Sequence, residues 1–325
     1  MNTSRKTSPA TLAGPAVSVL IPTRNRTDDL AQLIPSLTQQ TVDDFEVLVL
    51  DQSDDHAAVE QLVDGVGDER IRHVPLRSIG KSRALNVGIR IARSDVLAFT
   101  DDDCVAGPHW IENALACERR DAIVFGRVAA YEHDESIEHV PTLDIDEFEE
   151  TAGRRWRSVG VIGIGANMVA PAPLIKELGG FDVDLGPGGD LKAGEDFEIT
   201  LRALAHGAYI LRDPRLVVIH SGGRPMKDRV ASAHIAEAFV GIGASLGKHA
   251  RERDIRAVTA FVDELARALM LSGRAIVRRQ RPTHLRRSWS LIRGFLRGAR
   301  RGLSLAPDDW SIRKSSPTPP GDLRP

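Results

Sequence analysis

Leu97-Ala98-Phe99-Thr100-Asp101-Asp102-Asp103-Cys104 is the stretch on which the reading of this chain turns. Asp95 to Phe99 reads as a short apolar strand, and three consecutive carboxylates follow at its end. Alternation along an extended backbone sends Asp101 and Asp103 to one side and Asp102 to the other. Carboxylates that converge at a strand end repel one another unless a cation lies between them. Hard oxygen ligands of this kind suit Mg2+ or Mn2+, ions that keep open positions for phosphate oxygens. The competing reading is a solvated acidic turn, or a helix N-terminus that carries negative charge before Pro108. The flanking sequence has to decide.

Upstream, elements alternate. Ala16 to Ile21 is a continuous apolar run, as in a strand buried on both faces, and Pro22-Thr23-Arg24-Asn25-Arg26-Thr27 ends it. Thr27 is a candidate cap for a helix to about Gln40. A strand over Glu46 to Leu50, a helix to about Val63 and a short strand over Ile71 to Val74 follow, and Ser78-Ile79-Gly80-Lys81-Ser82-Arg83 leads into a helix through Ile91. With Asp95 to Phe99 this makes a β-α-β-α-β-α-β series, the pattern of an α/β fold with a mostly parallel sheet flanked by helices. Ligands in such sheets bind beyond the C-terminal strand ends. Three of those ends carry Arg24 and Asn25, then Asp51, then Asp101 to Asp103.

Downstream, Ala122 to Ala130 is a strand, Tyr131 to Arg157 is irregular, and Val159 to Val169 is Gly-rich and apolar with Asn167 inside it. A short helix over Pro171 to Leu178 and the turn Gly179-Gly180-Phe181-Asp182 lead into a glycine-rich loop. Glu195-Asp196 then opens a helix to about His206, and Leu216 to Ile219 is a last strand with His220 at its end. From about Arg229 the pattern is helical, with Ile255, Val258, Val262, Leu265, Leu269 and Ile276 at near-heptad spacing and Leu285, Trp289, Ile292 and Leu296 as a further stripe. Between Leu265 and Pro307 stand eleven arginines and no Asp or Glu. The expected organisation is a disordered terminus over 1–15, a catalytic domain over 16–225 whose halves are 16–105 and 106–225, a basic helical appendage over 226–302 and a Pro-rich tail over 303–325.

Composition narrows the class. The net charge of −2 over 325 residues carries no nucleic-acid signature. Two cysteines, Cys104 and Cys117, cannot build a disulfide framework or a four-ligand zinc site and fit a reducing compartment. Met1 to Pro15 lacks an apolar signal-peptide core, and no apolar run approaches the roughly 18 residues of a membrane span. The expected location is the cytoplasm, at most peripheral to the inner face of a membrane. The arginine-rich stripes suit an anionic membrane surface or a solvated helical face, and the row from Ile255 to Ile276 suits a homodimer as well as an intramolecular core.

Taken together, Val17-Ser18-Val19-Leu20-Ile21-Pro22-Thr23-Arg24-Asn25, Val49-Leu50-Asp51, Asp101-Asp102-Asp103, Gly179-Gly180-Phe181-Asp182, Gly194-Glu195-Asp196 and Val218-Ile219-His220 resemble family 2 glycosyltransferases of the GT-A fold. The resemblance covers roughly Ala16 to Gly223, and its order and spacing are more specific than any single piece. It implies a nucleotide-diphosphate sugar donor, Mn2+ or Mg2+ as cofactor, a hydroxyl acceptor such as a sugar or lipid-linked glycan, and inversion at the anomeric carbon. Asp51-Gln52-Ser53 departs from the family's frequent Asp-Asp-Gly-Ser, which bears on donor identity.

On that resemblance, Asp101 and Asp103 with His220 are the metal ligands, and Asp101 and Asp102 also face the donor. Asp51 accepts a hydrogen bond from the nucleotide base, although a turn Asp reads the same way. Pro22, Arg24, Asn25, Lys81 and Arg83 line the donor site, with the cations pairing with phosphates. Asp196 is the general base and Glu195 its rival, while two acids in the first turn of a helix are also explained by the helix dipole. Asn167 is a substrate-binding candidate, Trp156 an acceptor-site candidate, and Trp110 reads as a core residue. Two other classes compete: a sugar-phosphate nucleotidyltransferase, which needs a Gly-rich loop after the first strand, and a catalytically silent nucleotide-sugar-binding scaffold at a membrane. A dinucleotide-binding dehydrogenase is excluded because no G-x-G-x-x-G follows any strand.

Overall fold

A computed structural model describes residues 14–134, 136–152, 163–225, 230–279 and 283–305. Trp156 lies outside the described residues, as do most of the terminal segments 1–15 and 303–325. The first half runs β1 (Val17–Thr23), α1 (Thr27–Thr38), β2 (Phe45–Asp51), α2 (Ala57–Val66), β3 (Ile71–Pro75), α3 (Lys81–Ile91), β4 (Val96–Thr100) and β5 (Cys104–Ala106). The second half continues with α4 (Trp110–Cys117), β6 (Ala122–Ala130), β7 (Glu138–His139), β8 (Glu149–Ala152), β9 (Asn167–Pro171), α5 (Ala172–Glu177), α6 (Glu195–His206), β10 (Tyr209–His220) and β11 (Arg224–Pro225). Three long helices follow: α7 (Val230–Arg251), α8 (Ile255–Val277) and α9 (Thr283–Arg301).

The main sheet is mixed, in the order β3-β2-β1-β4-β9-β6-β10-β5, with β8 pairing β10. β3, β2, β1 and β4 are mutually parallel, as expected. β9 then runs against both β4 and β6, and β10 returns parallel to β6. β1, β2, β4, β6 and β10 therefore all end at one edge. That common edge brings Thr23, Asp51, Asp101 and His220 together from positions far apart in sequence.

The apolar run of β1 is continuous because both its faces are covered. Val17, Val19 and Ile21 join Leu30, Leu33, Ile34 and Leu37 of α1 on one side. Leu20 joins Leu85 and Ile89 of α3 on the other. Thr27 proves to be the first residue of α1 rather than its cap, and Arg26 holds the cap position. β10 begins at Tyr209, well before the expected Leu216, because its pairing with β6 resumes after a register shift between Asp213 and Val217. The polar residues around that bulge hide the front of the strand from a hydrophobicity reading.

The C-terminal helices are not a loose appendage. A Cβ on Gly241 of α7 would stand 2.3 Å from the carbonyl oxygen of Ala193, so the helix backbone rests directly on the loop before α6. Gly243 and Gly247 of α7 meet the backbone of α9 at Leu291 and Phe295, and Gly294 and Gly298 return the contact at Val240 and Ala244. Lys248 is fully buried, donating to Asp182 at 2.9 and 3.1 Å and to Asp184 at 2.9 Å. A buried ammonium is tolerated only when paired in this way. No helix among the described residues is long and apolar enough to cross a membrane.

α6 is fastened from behind by Glu198, whose carboxylate takes Arg202 at 2.6 and 2.7 Å and His249 of α7 at 3.0 Å. Burial pushes this carboxyl up, but Arg202 and His249 outweigh it and hold it at about 2, against an ordinary 4.5. A depressed carboxyl stabilises the fold fully above its unfolded value and loses that contribution as pH falls through its folded value. The stability difference between the parent and Glu198→Gln should thus be constant above pH 4.5 and shrink between 4.5 and about 2. Urea unfolding across that range measures it. A difference that stays constant down to the lower limit would remove the assignment.

Candidate active site

The acid triplet is built by two strands. β4 carries the chain to the sheet edge and β5 starts back from it, paired antiparallel with β10 so that Cys104 stands opposite His220. That register sets His220 Nε2 3.5 Å from Asp103 Oδ1. The other oxygen of Asp103 takes Arg26 at 2.8 Å, and the same guanidinium nitrogen reaches Asp102 at 3.0 Å. Thr23 at the end of β1 donates to Asp102 at 2.8 Å. Asp101 turns instead to Lys81, 2.6 Å away at the start of α3.

Burial and charge divide these acids. Burial drives the Asp102 carboxyl up to about 6, only partly offset by Arg26 and Thr23. Burial acts on Asp101 in the same direction, but the Lys81 ammonium overrides it and holds that carboxyl below the usual range. Arg26, despite its own burial, is held above its ordinary value by Asp102 and Asp103.

The residues beside Asp103 fit a hard divalent cation. His220 is buried, and its Nδ1 has no hydrogen-bond partner, a costly state for a polar atom that meets no ligand. A Cβ on Gly222 would lie 2.1 Å from Asp103 Oδ2 and 3.0 Å from His220 Cε1, so glycine keeps this space open. The ligand atoms of Asp103, Cys104 and His220 all lie within 4.8 Å of one another. Cys104 is not suited to join them. Burial, reinforced by Asp101 and Asp103, pushes its thiol well above the ordinary range and keeps the proton on sulfur.

On the opposite wall, α6 opens with Glu195 and Asp196. Glu195 is buried with Lys81 at 3.4 Å, so one ammonium joins the two walls. Burial raises the Glu195 carboxyl to about 7, with Lys81 opposing and Asp196 adding to the rise. Asp196 points elsewhere: its Oδ2 accepts from the Gly165 amide at 3.0 Å and its Oδ1 from the Phe197 amide at 2.7 Å. The cleft between the walls has two connected cavities that share Lys81, Asp101, Pro187, Lys192, His220, Arg224 and His234. The larger, about 640 Å³, lies over the acid triplet; the other, about 450 Å³, runs past Asp196 to Phe197, Ile235 and Ile242.

Pro22, Arg24, Lys81, Asp101, Asp102, Asp103 and His220 all line the larger cavity. Others do not. Asn167 is a core residue: its side chain accepts from Trp110 at 2.9 Å and donates to the carbonyls of Arg127 and Leu216. Asn25 is a clasp between strand ends, in left-handed backbone with its amide bonded to Asp54 in both directions. Arg83 is exposed on α3 and lines neither cavity. Asp51 is fully buried below the cleft and accepts from the Ser53 amide at 2.8 Å, with His56 and His73 on its other oxygen at 2.7 and 2.9 Å. Sequence reasoning missed Arg26, Gln52, Lys192, Arg224 and His234. Of these only Arg26 left a signal, as one of three polar residues after β1.

Residues 18–177 match the profile of Glycosyl transferase family 2. Validoxylamine A glucosyltransferase of Streptomyces hygroscopicus subsp. jinggangensis is 29% identical over 230 residues, covering 61% of this chain and 53% of that one. Glucosyl-dolichyl phosphate glucuronosyltransferase of Haloferax volcanii is 26% identical over 187 residues, covering 54% of this chain and 58% of that one. The chain spans about half the length of the curated relatives it matches. A mannosyltransferase from Pyrobaculum calidifontis, solved with GDP-Man and Mn2+, superposes with a TM-score of 0.56 at 17% identity, covering 88% of this chain and 87% of that one. S. aureus TarS 1-349, solved with UDP-GlcNAc, gives 0.55 at 19% identity, covering 71% and 65%. At such identities the likeness is one of fold. The chain has the GT-A fold and, over residues 18–177, belongs to glycosyl transferase family 2.

Proposed function

We propose that this chain transfers a sugar from a nucleotide-diphosphate sugar to a hydroxyl acceptor, a sugar or a lipid-linked or cell-envelope glycan, with inversion at the anomeric carbon. The observation that supports this most is the one cleft with the acid triplet on one wall, Glu195 and Asp196 on the other and Lys81 between them. Arg24, Arg26 and Lys81 offer the donor diphosphate its charge partners, and the base sits toward the end of β2, where Asp51 fixes His56 and His73. Asp101, Asp103 and His220 would hold Mn2+ or Mg2+, which would supply electrostatic stabilisation for the negative charge on the departing diphosphate.

The transfer is a single displacement. The acceptor oxygen forms a bond to the anomeric carbon while the bond from that carbon to the diphosphate oxygen breaks, its electron pair leaving with the diphosphate. The acceptor's proton passes to Asp196, whose Oδ2 is oriented by the Gly165 amide. Glu195 is less suited, because it is turned toward Lys81 and, at about 7, is partly protonated in neutral solution. Successive helix residues point about 100° apart, so only one of the two faces the acceptor.

Asp196→Asn should lower turnover by about 10²–10⁴-fold, the usual contribution of a positioned base, with donor affinity nearly intact. Glu195→Gln should cost less. The reverse order in single-turnover assays would move the base to Glu195.

The cofactor is tested by chelation. EDTA should abolish transfer from a panel of nucleotide sugars, and Mn2+ or Mg2+ should restore it. Asp103→Asn should weaken nucleoside diphosphate binding only when metal is added. Full activity after thorough chelation would overturn this part of the reading.

For the base site, Asp51→Ala should weaken nucleoside diphosphate binding by about 1–3 kcal/mol, the cost of disturbing a buried charged hydrogen bond. Unchanged affinity by calorimetry, in a variant that still melts cooperatively, would remove the end of β2 from the donor site.

A further inference from the structure

The outer surface of the C-terminal helices is unlike any other part of the molecule. α9 is fixed by its inner side, where Gly294 and Gly298 meet α7 and Phe295 stacks on Phe261 of α8 at 4.1 Å between ring centres. Its outer side leaves Trp289 67% exposed, with Leu285 and Leu296 exposed one and two turns away. Arg286, Arg293, Arg297 and Arg300 are exposed beside them. The neighbouring α8 presents Ile255, Val262, Leu269 and Ile276 outward at intervals of seven residues, with Met270 and Val277 alongside.

We propose that α9, with the outward row of α8, docks this protein on an anionic phospholipid surface. A helix that alternates Trp and Leu with arginine on one solvent face suits the boundary between headgroups and acyl chains. Its apolar side chains enter the boundary while the guanidinium groups meet lipid phosphates. Charge complementarity selects the occupant. No carboxylate occurs from Leu265 to Pro307, against eleven arginines. A two-fold contact with a second copy through α9 would set Arg293, Arg297 and Arg300 against their own equivalents, which is unfavourable. A nucleic acid would satisfy the arginines but offers nothing to the aliphatic row of Ile255, Val262, Leu269 and Ile276. The inference is independent of the sugar-transfer reading, because docking needs neither donor nor metal.

The test is co-sedimentation of the full chain with phosphatidylcholine vesicles, with and without phosphatidylglycerol, at low and raised salt. The protein should be recovered with the anionic vesicles only, and salt should release it. Arg293→Gln/Arg297→Gln/Arg300→Gln should weaken that binding on the order of a hundredfold, taking about fivefold for each arginine near the surface. Trp289→Ala/Leu296→Ala should weaken it by at least about tenfold. All five positions are exposed, so unchanged melting temperatures verify that the variants are folded. Equal recovery on neutral and anionic vesicles, no recovery on either, or variants that bind like the parent would each overturn the proposal. A dimer in solution that Trp289→Ala/Leu296→Ala disperses would overturn it too, giving the surface to a second copy.

Discussion

One ammonium group holds the cleft together. Lys81 sits 2.6 Å from Asp101 and 3.4 Å from Glu195, the first residues of two walls that would otherwise repel each other. Five carboxylates converge here, from Asp101 to Asp103 and at Glu195 and Asp196, and Lys81 and Arg26 are the cations in direct contact with the acid triplet and Glu195. Burial lifts two of these carboxyls toward the neutral form, with neighbouring acids adding to the rise, to about 6 for Asp102 and about 7 for Glu195. The adjacent acids of α6 are set apart, since Glu195 is held by Lys81 while Asp196 is turned to Gly165.

The position of Lys81 is itself set from three directions. Its backbone amide donates to Pro187 at 2.9 Å in the glycine-rich loop, and the amide of Gly80 donates to Gln52 at 3.2 Å beyond β2. The glycine loop is in turn backed by α7, where Gly241 closes on Ala193 and Gly194 and Ser245 donates to the Gly194 carbonyl. Lys248 ties the same helix to Asp182 and Asp184, which also bond Ser304 beyond α9. The C-terminal helices are thus part of what holds the loop before Glu195 and Asp196. A boundary drawn there from composition marks a change of surface and not a break in packing.

What the sequence made legible was the set of strand ends. A buried strand shows as an apolar run, and the polar residues that follow it must lie at the sheet edge, so Arg24, Asp51, Asp101 and His220 could be nominated without coordinates. Side-chain direction was not legible. Arg24, Asn25 and Arg26 are adjacent polar residues, and only the start of α1 at Thr27 shows that Arg26 is the one aimed at Asp102 and Asp103. Asn167 looked like a site residue because a polar side chain interrupts an apolar stretch. It is instead the hydrogen-bonding hub that lets β6, β10 and Trp110 of α4 meet in the core. Strand direction was equally hidden: nothing local distinguishes β9, which runs against its neighbours, from a parallel strand.

The charge of the whole chain conceals a polarity with physical consequences. A net charge of −2 for the whole chain, with eleven arginines and no Asp or Glu between Leu265 and Pro307, leaves thirteen net negative charges on the remainder. The glycines that seat α9 on α7 fix the position of that basic segment relative to the acidic cleft, because a Cβ at either Gly294 or Gly298 would force the helices apart. A molecule with its charges separated in this way is oriented by an anionic surface before it touches one, over a Debye length of about 8 Å at physiological salt. The basic helices are drawn in and the acidic body is repelled. Because α7 also backs Gly194, the basic helices and the loop that presents Glu195 and Asp196 form one packed unit. An acceptor carried in the membrane would meet a cleft whose orientation is already set, which removes part of the entropic cost of bringing the two together.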